Sequence, residues 1–64
     1  MLDWDMRHAL RGDADNFHVL LIQLFLKADR NNYARLQEVY PNTERVVAHW
    51  RKTAEFLPGV PYDA

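Results

Sequence analysis

The stretch Phe17-His18-Val19-Leu20-Leu21-Ile22-Gln23-Leu24-Phe25-Leu26-Lys27-Ala28 decides the fold of this chain. Phe17, Leu20, Leu21, Leu24, Phe25 and Ala28 recur at helical spacing and share one face. Val19, Ile22 and Leu26 form a second apolar stripe on the opposite face. His18, Gln23 and Lys27 alone interrupt the apolar surface. A helix that is apolar on both sides must be covered on both sides. The run is shorter than the roughly 20 apolar residues that cross a bilayer, so it reads as the central helix of a core.

Outward from this helix the chain is punctuated by caps and stops. The spacing predicts four helices, over residues 3–11, 14–28, 30–40 and 43–57. Asp3 is placed to cap the first and Gly12 to end it. Asp13 is placed to cap the second, with Asp15 adding charge in its first turn, where the helix dipole favours it. Asp29 begins the third, and Pro41 ends it because the residue before proline is steered away from helical backbone. Asn42 or Thr43 caps the fourth, Glu44 follows in its first turn, and Pro58-Gly59 stops it. Residues 58–64 read as an extended tail. No β-branched run alternates with period two, so the expected fold is all-α, a small bundle of three to four short helices in one domain over residues 1–64.

The packing expected from these patterns sets Phe17, Leu20, Leu21, Leu24 and Phe25 inward against Leu36, Tyr40, Val46 and Trp50. Tyr33, Leu36 and Tyr40 line one face of the third helix, with Val39 at its margin. Val46, Val47, Trp50, Ala54 and Leu57 line the fourth. The first helix is too short to survive alone and is expected to dock through Trp4, Met6 and Leu10. That leaves the Val19, Ile22 and Leu26 stripe incompletely covered.

Composition narrows the function. The 64 residues include no cysteine, so disulfides and thiolate metal sites are excluded. A chain this small buries only about 60% of its unfolded surface. With a 48% hydrophobic fraction and eight aromatic residues, it has the material for a compact core. His8, His18 and His49 fall on three different helices without a paired motif or a carboxylate at ligand spacing, so no metal and no cofactor is expected. Asp3, Asp5, Asp13 and Asp15 match helix starts. Serine is absent and Gly12 and Gly59 are the only glycines, which leaves neither a common nucleophile nor a phosphate loop. The expectation is therefore a protein that is not an enzyme. The net charge of −1 speaks against a general nucleic-acid coat. The start of the chain lacks the basic and apolar pattern of a secretion signal, so a cytoplasmic location is expected.

Two positive readings follow. In the first, the chain is a helical protein–protein interaction module, paired with itself as a homodimer and with a further protein, through Val19, Ile22, Leu26 and Trp4. In the second, the third and fourth helices form a helix-turn-helix that offers Thr43, Arg45, His49 and Lys52 to DNA, although its turn lacks glycine. Asn32 reads as a local partner of Asp29.

Leu20, Leu24, Lys27-Ala28-Asp29, Asn32, Leu36, Tyr40-Pro41 and Val46-Val47 together resemble small helical proteins encoded by bacteriophages and prophages. The resemblance spans roughly residues 20–47, about half of the chain. Most such proteins have no assigned activity, so it implies an origin rather than a function.

Overall fold

A computed structural model of the chain describes residues 1–13 and 16–63. Among these the chain forms helices α1 (Leu2–Arg11), α2 (Phe17–Lys27), α3 (Arg30–Val39) and α4 (Pro41–Thr53), and no strand. The all-α bundle expected from the sequence is the observed fold.

The helix boundaries follow from local chemistry, in places differently from the expected pattern. Helix α1 begins one residue before Asp3, so Asp3 and Asp5 lie inside its first turn and act on the helix dipole rather than as a cap. Gly12 ends it at φ +84, a left-handed conformation that glycine adopts without steric cost. Asn16, not Asp13, caps α2: the Val19 N–H donates to Asn16 Oδ1 at 2.9 Å. Asp13 instead lies 3.0 Å from His8 Nδ1. The expected start at residue 14 and the first-turn charge of Asp15 lie outside the described residues. Asp29 caps α3 as expected, accepting from the Asn32 N–H at 2.8 Å and from Asn32 Nδ2 at 3.3 Å.

Helix α4 starts at Pro41, whose fixed φ and missing N–H suit the first helical position. Asn42 and Thr43 therefore fall within its first turn and cannot be its cap. The cap arrives from the far end of the chain. The Asn42 N–H donates to Asp63 Oδ1 at 2.8 Å, and the Thr43 N–H and hydroxyl donate to Asp63 Oδ2 at 3.0 and 2.8 Å. At its other end α4 stops at Thr53 rather than at residue 57. The Thr53 hydroxyl donates to His49 O and accepts from the Glu55 N–H, while Ala54 takes a left-handed φ of 60. Ala54 and Leu57 thus leave the helix, and Phe56 and Leu57 fold back against the core.

The core is built from Leu2, Met6 and Ala9 of α1, Val19, Leu21, Ile22 and Phe25 of α2, Val46 and Val47 of α4, and Val60 of the tail. Helix α1 packs most extensively on α2, and α4 packs on α1, α2 and α3. Helix α3 buries no side chain completely. It is held to α4 by Tyr33, whose hydroxyl donates to Glu44 Oε2 at 2.7 Å. Burial, and then the Glu44 contact, push the Tyr33 phenol up to about 12.

The tail carries more than an extended tail was expected to. Val60 is buried, the Tyr62 ring stacks on His18 of α2 at 4.0 Å between centroids, and Asp63 closes α4. The Tyr62 phenol lies against the wholly buried Asp5 carboxylate, which, with burial, pushes it up to about 12. Asn16 Nδ2 donates to the same carboxylate at 3.3 Å, so Asp5 ties α1 to the cap of α2.

Asp63 gives this tie a pH dependence. Burial pushes its carboxyl up, but donation from the Asn42 N–H, the Thr43 hydroxyl and the Thr43 N–H, with His18 nearby, outweighs burial and leaves it below the usual 3.8. A carboxyl lowered by folding stabilises fully above its unfolded value and loses that contribution as pH falls through the folded one. Asp63→Ala should cost roughly 0.5–2 kcal/mol in urea denaturation at neutral pH. The difference from the parent should shrink below the carboxylate range; an equal difference at pH 7 and pH 2 would contradict the cap.

Candidate protein-docking groove

The side of α2 that packs inward is not the one with the longer apolar stripe. Val19 and Ile22 are 0% exposed, and Leu26 is half-buried against the core. Phe17, Leu20 and Leu24 are 58%, 50% and 53% exposed. The stripe expected to be an interface is thus interior, and most of the stripe expected to be core faces solvent. Gln23 supplies the physical reason. Its Nε2 donates to Ala9 O at 3.3 Å and to Asp13 O at 3.1 Å, fixing the end of α1 beside α2 on the Val19 and Ile22 side. Leu21 and Phe25 remain inward, where Phe25 meets Tyr33 edge-on at 5.3 Å.

The first helix turns accordingly. It docks through Leu2, Met6 and Ala9, whereas Trp4 is exposed and packs on the His8 ring at 3.8 Å. Trp4 is thus available at the surface, but Val19 and Ile22, expected beside it, are enclosed.

Between α2 and α3 an open groove of about 680 Å³ remains, with Leu24, Leu36, Val39 and Tyr40 as its apolar walls. Val39 is 62% exposed. At one end the Phe17 and Tyr40 rings approach to 6.1 Å. At the other the Ala28-Asp29 turn closes the angle between the helices. Lys27 and Arg35 stand at the rim, and the Asp29 carboxylate there is held by Asn32. Arg30 and Arg51 flank a second, smaller hollow on the other side of the same turn. Arg51 donates to Leu26 O at 3.1 Å and lies over the Tyr33 ring.

The residues offered to DNA separate. Arg45 and Lys52 are exposed and share the outer face of α4 with half-buried His49. Thr43 is wholly buried and its hydroxyl is taken by Asp63, so it presents nothing to a groove. The three histidines have separate surroundings: His8 beside Asp13 and Trp4, His18 under Tyr62, His49 on α4. Among the described residues no three potential ligands gather for a metal ion. No helix among the described residues is long and apolar enough to cross a membrane. Asp5 is buried, but neither it nor its partners Asn16 and Tyr62 line any of these hollows.

Of the residues lining the groove, Leu24, Leu36, Val39 and Tyr40 are those that sequence reasoning placed inside or at the margin, as it did the exposed Phe17 and Leu20 of the same α2 row. One signal marked the open side. Lys27 continues the Phe17, Leu20, Leu24 row at helical spacing, and a lysine is seldom fully buried. The chain matches no protein-family model, and no curated protein or solved structure is significantly similar to it.

The two stripes of α2 should respond in opposite ways to truncation. Ile22→Ala should cost about 2–5 kcal/mol in urea denaturation of a dilute sample. Leu24→Ala under the same conditions should stay within roughly 0.5 kcal/mol of the parent. Equal losses at the two positions would mean that the Leu24 stripe is also core.

Proposed function

We propose that the chain is a non-enzymatic helical protein–protein interaction module whose contact surface is the open face of α2 and α3. The observation that carries this reading is the row Phe17, Leu20 and Leu24, left at least half exposed, with Leu24 opening onto the groove opposite the exposed Val39. Large contiguous exposed apolar patches on small proteins mark interaction sites. The self-association expected from the sequence moves with the exposed stripe: a second copy would meet Leu20 and Leu24 rather than Val19 and Ile22. For DNA, the Asp63 carboxylate sits at the start of α4, where a phosphate would be repelled.

Site-specific photo-crosslinking tests the reading directly. A photoreactive residue at position 24 should capture protein in cells that make the chain, and one at position 45 should not. Capture at 45 alone, or of nucleic acid at 45, would overturn the assignment of the face.

A further inference from the structure

Resting on the interaction-module reading, we propose that the partner in the α2–α3 groove is an amphipathic helix with acidic residues flanking its apolar row. Shape comes first. The flanks are two helices of about 15 Å, diverging from the Ala28-Asp29 turn, and Leu24, Leu36, Val39 and Tyr40 line the trough between them. Such a trough accepts side chains spaced i, i+3 or i+4, and i+7 along one face of a helix of two to three turns. Its volume of about 680 Å³ has room for several large aliphatic or aromatic anchors.

Charge then selects the flanks. The chain as a whole is net −1, yet four of its eight Lys and Arg side chains border the groove or the turn beside it. Lys27 and Arg35 rim the groove itself, and Arg30 and Arg51 lie just past the turn. The one carboxylate among the lining residues, Asp29, already accepts two hydrogen bonds as the cap of α3. A partner entering here loses water from its apolar row against Leu24, Leu36 and Val39 while its flanks pass the Lys27 ammonium and the Arg35 guanidinium. Carboxylates on those flanks are attracted and ammonium groups repelled, which steers encounter and rejects basic helices. A second copy of the chain fits less well, because the exposed row it brings ends in its own Lys27.

The test is a selection from a displayed library of helical peptides. Leucine is fixed at i, i+4 and i+7, and the flanking positions vary among Glu, Gln and Lys. The full chain serves as bait, with Leu24→Glu as the counter-selected control. The expected result is enrichment of Glu on the flanks, loss of binding in Leu24→Glu, and roughly tenfold weaker binding in Lys27→Glu/Arg35→Glu. The selected peptide should regain affinity for the double variant when its Glu residues are changed to Lys. Circular dichroism of each variant should match the parent, which separates lost contact from lost fold. Enrichment of Lys, absence of any flank preference, or failure to enrich any peptide would overturn the proposal. So would a Leu24-dependent dimer in sedimentation, which would make the second copy the occupant. Photo-crosslinking at position 24 then tells the two readings apart: capture of protein there leaves the interaction module standing without the acidic partner, and no capture removes both.

Discussion

Everything in this fold turns on α2, which is apolar around most of its circumference and has three short helices to cover it. Helix α1 takes the Val19 and Ile22 side, α4 also packs on α2, and Leu21 and Phe25 are buried in the common core. Helix α3 is held by Tyr33 and Tyr40 at the seam and leaves the third side of α2 open. Burying one large aliphatic side chain contributes roughly 1.5–3 kcal/mol. The exposed row therefore leaves that contribution unmade within the chain.

The rest of the bundle is closed by groups distant in sequence. The tail brings Val60 into the core, Tyr62 onto His18, and Asp63 onto the first turn of α4. Without that carboxylate, the Asn42 and Thr43 N–H groups would face no partner from α4 itself, since Tyr40 supplies no side-chain cap. Asp5 makes a second tie, from α1 to the α2 cap residue Asn16. These two carboxylates join elements of a chain without disulfides, Asp63 the tail to α4 and Asp5 helix α1 to the α2 cap.

Much of this architecture was legible from local signals. Gly12, Asp29 and Pro41 punctuate the helices because their chemistry acts within one turn. Asn32 met Asp29 for the same reason. What was not legible is nonlocal or lacks direction. The Asp63 cap joins residues about twenty positions apart, and no pattern around Pro41 announces it. The early end of α4 goes with the Glu55 N–H donating to the Thr53 hydroxyl rather than to a helical carbonyl, a local bond that competes with continued helix. The inward face of α2 could not be read from periodicity, because a helix with two apolar stripes satisfies the same spacing either way round. Gln23 decided it, through carbonyls of a neighbouring element. The groove was missed as a consequence, although Lys27 at the end of the exposed row pointed to it.

The central claim is that the working surface is the Leu20 and Leu24 side of α2 and that the Val19 and Ile22 side is sealed core. Methyl-resolved NMR, with each methyl followed as a helical peptide with acidic flanks is titrated in, tests it most directly. The account predicts that the methyl signals of Leu20, Leu24, Leu36 and Val39 move while those of Val19, Ile22 and Val47 stay in place. Movement centred on Val19 and Ile22, with Leu20 and Leu24 unaffected, would contradict it.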